Sequence, residues 1–191
     1  MKKNKFKNSI LIVILFFSLI QCKTHAALAA SPKVIFRTTA GVIEISFYLN
    51  RSLSNIGIFL KVVGIGGYTG TRFHRVSPGF FIQGGDPLSA DSDPANDGTG
   101  GDAFVTTQRP CLALSEGTIA FITTGTTDEF NTHQFIITTR KLTSSEKNQF
   151  RGQYIVLGKV TAGLELVKKI SFMQPQELRN IRIISAVVQS Q

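Results

Sequence analysis

From about residue 33 onward the chain advances in short runs rich in Val, Ile, Phe and Thr, each closed off by Gly, Asp or Asn. Runs of this length and composition are strands, and a chain made mostly of them must fold as sheet on sheet or as a sheet curled on itself. The first two, Lys33 to Thr38 and Val42 to Leu49, flank Thr39-Ala40-Gly41. In the second, Ile43, Ile45 and Phe47 alternate with Glu44 and Ser46, so the pair reads as a hairpin with one buried face. Phe104 to Thr107, Leu112 to Leu114, Thr118 to Ile122, His133 to Thr138 and Tyr154 to Val160 continue the series, and Ile181 to Val188 closes it. Two segments break the pattern. Asn50 to Val63 places Ile56, Phe59, Leu60 and Val63 on one helical face, weakened by Gly57 at a cost of about 1 kcal/mol, and Leu164 to Ile170 reads as a second helix. Leu88 to Gly101 is Asp, Ser, Pro and Gly without periodicity, and reads as a surface loop. The expected architecture is mainly β: a closed or nearly closed antiparallel barrel capped by two α-helices.

The first 29 residues stand apart. Lys2, Lys3, Lys5 and Lys7 precede an apolar run from Ser9 to Ile20, and Ala27-Leu28-Ala29 offers a small-x-small cleavage site. This is the pattern of a secretory signal peptide, and the run falls short of the roughly twenty residues a membrane span needs. The expected division is a leader over 1–29 and one domain over 30–191, about 160 residues, enough for a single core. Leu19-Ile20-Gln21-Cys22 places a cysteine just after the apolar run, so lipidation there competes with cleavage after Ala29; only a lipidated Cys22 or an uncleaved leader would tie the chain to a membrane. Five of the 21 Lys and Arg lie in the leader, which leaves 16 against 12 acidic residues and a net charge of about +4 on the remainder. The basic residues are scattered, so nucleic acid is not an expected partner. After cleavage Cys111 is the one remaining thiol, which excludes an internal disulfide.

The chemistry-bearing stretch is Phe73 to Asp86, FHRVSPGFFIQGGD. It sets one permanently charged arginine, Arg75, among aromatics and follows it with Gln83 and a Gly-Gly pair. Arg, Gln and Phe are not nucleophiles, and His74 is the sole proton carrier nearby, so the stretch is suited to holding and polarising a neutral group. His25, His74 and His133 do not form a ligand cluster, and neither metal nor cofactor is expected. Gly64 to Gly70 lacks the Lys-Ser/Thr that completes a phosphate-binding loop.

This stretch resembles the signature of the cyclophilins, the peptidyl-prolyl cis-trans isomerases. The likeness runs through Tyr68, Gly70 and Thr71, Phe73-His74-Arg75-Val76, Pro78-Gly79-Phe80 and Gln83-Gly84-Gly85-Asp86-Pro87. Weaker echoes follow at Gly98-Thr99-Gly100-Gly101, Gly117-Thr118-Ile119-Ala120, Gln134-Phe135-Ile136-Ile137 and Leu157-Gly158-Lys159-Val160. The resemblance implies an eight-stranded barrel and a monomer that twists X-Pro bonds in proline-containing polypeptides without a cofactor. It implies Arg75 as the catalytic arginine, Phe80 as a wall of the proline pocket, Gln83 as a residue orienting the substrate, and Phe81 as pocket lining. It further implies substrate contacts from Ile122, Thr123, Gln134, Ile136 and Tyr154. Phe73 and His74 read as support. With the leader, the expectation is an exported, periplasmic isomerase that assists folding of exported proteins.

Departures from the family pattern concern the second half. Ile136 stands where the family has an aromatic floor to the proline pocket, and Ile122-Thr123-Thr124 replaces an Ala-Asn-type segment. Tryptophan is absent from the chain, and Tyr154 takes the place of a histidine. These changes motivate a rival expectation, a barrel that binds peptides with little turnover. A barrel storing a small apolar ligand is a further alternative, opposed by the bulk of the Phe, Ile and Val available to fill the interior.

Overall fold

The computed structural model describes residues 32–106, 112–123, 129–150 and 152–189. The leader and its cleavage site, Cys22, Cys111 and Thr124 lie outside them. The chain opens with β1 (Lys33–Thr38) and β2 (Gly41–Phe47), an antiparallel hairpin in the expected register, with Val34 opposite Ile45 and Thr38 opposite Gly41. Thr38 Oγ1 closes the turn by donating to Gly41 O at 2.7 Å and accepting from Ala40 N at 3.1 Å.

Helix α1 (Leu49–Gly64) follows, kinked at Ser52, and buries Ile56, Phe59, Val62 and Val63 against the sheet. The remaining strands are β3 (Phe73–Ser77), β4 (Phe81–Gly84), β5 (Ala103–Val105), β6 (Thr118–Thr123), β7 (Glu129–Thr138), β8 (Tyr154–Ala162) and β9 (Ile183–Gln189). Helix α2 (Ser144–Gln149) lies between β7 and β8, and α3 (Leu164–Ile170) and α4 (Pro175–Leu178) between β8 and β9. The two expected helices are α1 and α3; α2 and α4 are single short pieces that periodicity does not register. The expected strand at Leu112 to Leu114 is not one: these residues belong to no strand, and Leu114 is buried with Phe80, Phe81 and Ile136 in a cluster apart from the barrel core. The loop after Asp86 holds one 3-10 turn, Pro87–Ala90, whose first turn is capped by the Asp86 carboxylate accepting from Leu88 N at 2.9 Å.

The sheet runs β3-β4-β7-β6-β8-β2-β1-β9, all antiparallel, with β5 paired to β7 off this path. Its two ends meet. Arg72 and Arg182 form a bridge ahead of β3 and β9, with Ile183 N donating to Thr71 O at 2.8 Å and Gly70 N to Ile183 O at 2.8 Å. The barrel is therefore closed by a few backbone bonds at one corner, which removes most of the exposed edge that open sheets must protect.

Aromatic rings fill the interior. Phe36, Phe59, Tyr68 and Phe135 pack on one another at centroid separations of 5.1 to 6.2 Å, and all four are fully buried. Rings in tilted and edge-to-face arrangements contribute stabilisation beyond the area they bury. These bulky side chains occupy the interior of the described barrel, which weighs against the small-ligand alternative.

Candidate active site

Period-2 alternation sends successive residues of β3, β4, β6, β7 and β8 to opposite sides of the barrel wall. Ile82, Phe121, Phe135, Ile155 and Leu157 go inward. Their neighbours go outward and meet in register: Arg75 opposite Gln83, Gln83 opposite Ile136, Ile136 opposite Ala120, and Ala120 opposite Val156. The site is this cross-strand row on the barrel's outer face.

At its upper end the turn Ser77-Pro78-Gly79-Phe80 swings Phe80 over the row. Phe80 N donates to Ser77 O at 2.9 Å, and Gly79 adopts φ 65°, the left-handed backbone that the third position of a type II turn requires. Phe80 and Phe81 meet edge to face at 5.2 Å, and with Leu114, Ala120, Ile136, Leu142 and Val156 they form a second buried apolar cluster, separate from the barrel core. A cavity of about 300 Å³ opens above this cluster, small for a ligand pocket. Eight of the expected site residues line it: Arg75, Phe80, Phe81, Gln83, Ile122, Thr123, Ile136 and Tyr154.

Gln134, the ninth, does not line this cavity. It sits beside Gln83 and faces a neighbouring hollow shared with Gly98, Thr99 and Asn131. Its position is physically informative. Gln134 Nε2 donates to the carbonyls of Gly98 at 2.9 Å and Gly100 at 2.8 Å, which only accept. Its Oε1 must therefore face Gln83, and it accepts from Gln83 Nε2 at 2.9 Å. That in turn aims Gln83 Oε1 at Arg75, whose Nη1 approaches to 3.4 Å. Two loop carbonyls thus fix the direction of two amides and the resting place of one guanidinium.

The loop that supplies those carbonyls is itself pinned. The buried Asp86 carboxylate accepts from Gly98 N, and Asn131 Nδ2 donates to Gly100 O at 2.9 Å while its Oδ1 accepts from His133 N and Gln134 N. Gly85, at φ 86°, lets the chain leaving β4 run close against β7: a Cβ there would lie 2.5 Å from His133 O. This is the physical reason for Gly-Gly-Asp after Gln83.

Arg75 is exposed, and its guanidinium lies over the Phe81 ring with Cζ 5.4 Å from the centroid, within cation–π range. His74 points to the other side, against Gly98. Burial pushes its pKa below the ordinary imidazole value, opposed by Asp86 and Asp97, which leaves a neutral ring in a supporting position. Among the described residues no three His, Cys, Asp or Glu side chains converge as a metal site.

Four further side chains line the cavity that sequence reasoning did not single out: Ser77, Leu114, Phe150 and Gln153. Leu114 and Phe150 come from segments between strands, where no periodicity marks which residue turns inward. Arg140 was also missed; it stacks its Cζ 4.8 Å from the centre of the Phe80 ring.

Comparison with known proteins agrees with this geometry. Residues 33–188 match the sequence family described as cyclophilin type peptidyl-prolyl cis-trans isomerase/CLD. The chain is 31% identical to peptidyl-prolyl cis-trans isomerase A of Dickeya dadantii over 96% of both chains. It is 26% identical to human peptidyl-prolyl cis-trans isomerase-like 1 over 81% of this chain and 91% of that one. A crystal structure of a Cryptosporidium parvum cyclophilin-type isomerase superposes with a TM-score of 0.69 at 24% identity, covering 84% of this chain and 99% of that one. A second structure of that protein, obtained in the presence of the dipeptide Ala-Pro, gives 0.68 at 25% identity, with 83% and 99% covered. With a family match spanning nearly every described residue and a 31% identical relative covered over 96% of both chains, the chain belongs to the cyclophilin-type peptidyl-prolyl cis-trans isomerases.

Proposed function

We propose that this isomerase acts on proline-containing segments of exported polypeptides, with Arg75 as the group that lowers the barrier. The carrying observation is the Arg75 guanidinium, steered by Gln83 at 3.4 Å, on the rim of a cavity walled by Phe80, Phe81 and Ile136. A planar amide resists rotation by about 18–20 kcal/mol because the nitrogen lone pair is delocalised. As the bond twists, the lone pair localises on the prolyl nitrogen and that atom becomes a better acceptor. A guanidinium N–H placed there binds the twisted state more tightly than the flat one, and this difference is catalysis. The apolar walls hold the pyrrolidine ring, so the remainder of the peptide turns about it. Gln83 holds Arg75 in place, and Gln134 holds Gln83. Ile122, Thr123 and Tyr154 form the far rim, where backbone and side-chain groups meet the flanking peptide. No proton is transferred and no covalent bond is made, consistent with a neutral, sidelined His74.

Proline-containing peptides as substrate are supported by the structural relative obtained with Ala-Pro. Export is supported by the basic start, the apolar run and the Ala27-Leu28-Ala29 site. A protease-coupled assay on a proline tetrapeptide tests the activity: the wild-type chain turns over and Arg75→Ala does not. Equal rates for the two would overturn the assignment and leave peptide binding without catalysis. Export is tested by fractionating expressing cells and weighing the recovered protein; a soluble periplasmic product beginning at Ala30 is expected, and a full-length cytoplasmic product overturns it.

A further inference from the structure

The floor of the cavity is aliphatic, because Ile136 is the β7 residue facing it. A further aromatic side chain nevertheless lines the cavity beside Phe80: Phe150, whose ring is tilted against Phe80 with centroids 5.5 Å apart. Phe150 is not part of the barrel. It follows the six-residue helix α2, far too short to persist alone in water. What holds it is a set of bonds centred on Glu146. Thr143 and Glu146 form a capping box, with Thr143 N donating to Glu146 Oε2 at 2.8 Å and Glu146 N to Thr143 Oγ1 at 3.3 Å. Arg140 donates to the same carboxylate through both Nη1, at 2.8 Å, and Nη2, at 2.6 Å. Phe150 N then donates to Glu146 O at 2.9 Å. The guanidinium that grips Glu146 also lies on Phe80 at 4.8 Å, so one side chain fixes both aromatic walls relative to each other. The hydrogen bonds from Arg140 and then Thr143 pull the Glu146 pKa down to about 2, so the clamp stays charged across the neutral range.

We infer that Phe150, clamped by the Arg140–Glu146 ion pair, supplies the aromatic surface against which the substrate's prolyl ring packs, in place of the floor that Ile136 leaves aliphatic. Phe150 is the affinity-determining contact and Arg140 the positioning residue for it. This rests on the isomerase reading of the cavity, but the measurement separates the two. Titrating the chain with a proline tetrapeptide by NMR gives Kd, and exchange between the bound cis and trans forms gives the rotation rate.

For Phe150→Leu, Kd rises about three- to tenfold. Adding Ile136→Phe to that variant restores Kd to within about twofold of the wild type by returning a ring to the floor. Arg140→Ala raises Kd by a similar factor, and Arg140→Lys, which keeps the charge but not the two-pronged grip, falls between. Wild-type Kd in a folded Phe150→Leu, or no recovery in the double variant, overturns the inference. Should Phe150→Leu not fold, unchanged Kd in Arg140→Ala overturns it equally. Equal rotation by wild type and Arg75→Ala would instead remove the catalytic assignment while leaving the Kd comparison readable.

Discussion

Phe135 and Ile136 are adjacent in sequence and face opposite ways through the same wall. Phe135 enters the barrel and stacks with Phe36 at 5.4 Å in a fully closed interior; Ile136 leaves it and floors an open cavity. Inside, the aromatic rings pack chiefly on one another, and the arrangement serves to fill space. Outside, the apolar cluster of Phe80, Phe81, Leu114 and Ile136 is left one side short, and the polar chain from Gly98 and Gly100 through Gln134 and Gln83 ends on Arg75. One set of strands thus separates stability from recognition by residue parity.

The largest effect that sharpens this contrast is Phe135→Ala, which empties the interior and costs about 3–5 kcal/mol of stability, against about 1–2 kcal/mol for Ile136→Ala, whose side chain borders open space. Denaturant titration checks both. Similar losses would mean the outer cluster is as structural as the core. Next, Arg75→Ala reduces kcat/KM about a hundredfold or more and leaves the melting temperature within a degree or two, because the side chain is exposed. A marked drop in stability would break the separation. Gln134→Leu follows. It strands Gln83 Nε2 and the Gly98 carbonyl, while Gly100 O keeps Asn131 Nδ2, so about 1–3 kcal/mol of stability is lost and kcat/KM falls through misdirected Arg75. Wild-type kinetics in that variant would remove Gln134 from the relay.

The smallest effect is in pH dependence. Burial holds the folded-state pKa of His74 below its unfolded value, so the unfolded chain binds the extra proton first. Stability is therefore full above the ordinary histidine value of 6.5 and declines as pH falls below it towards the folded pKa. His74→Gln flattens that slope in urea titrations across the same window; an unchanged slope would assign the decline to other groups.

Legibility differed between the two faces for a physical reason. The β1–β2 hairpin, α1 and α3 were readable because each buries one face only, and one-sided burial writes a period into the sequence. Strands β4, β6 and β7 are buried on both faces along much of their length, so Phe81-Ile82 and Ile136-Ile137 read as continuous apolar runs in which inside and outside are not distinguished. There the site residues became visible through resemblance to a family signature. Phe150 and Arg140 carried no such mark: one follows a short polar helix, the other sits just beyond a strand, and only folding brings both to Phe80.

What the sequence settled alone was local: which runs pair, where the turns fall, that the chain makes a mainly β barrel, and that one charged arginine among aromatics is its distinctive group. Tertiary structure decided which side of the wall each apolar residue faces, that Gln134 works behind Gln83, and that aromatic surface stands on the cavity rim. Alternation and turn chemistry act over a few residues and leave a trace in sequence order. The meeting of Arg75, Gln83 and Ile136 on three neighbouring strands depends on register across the sheet, which closure of the whole barrel sets.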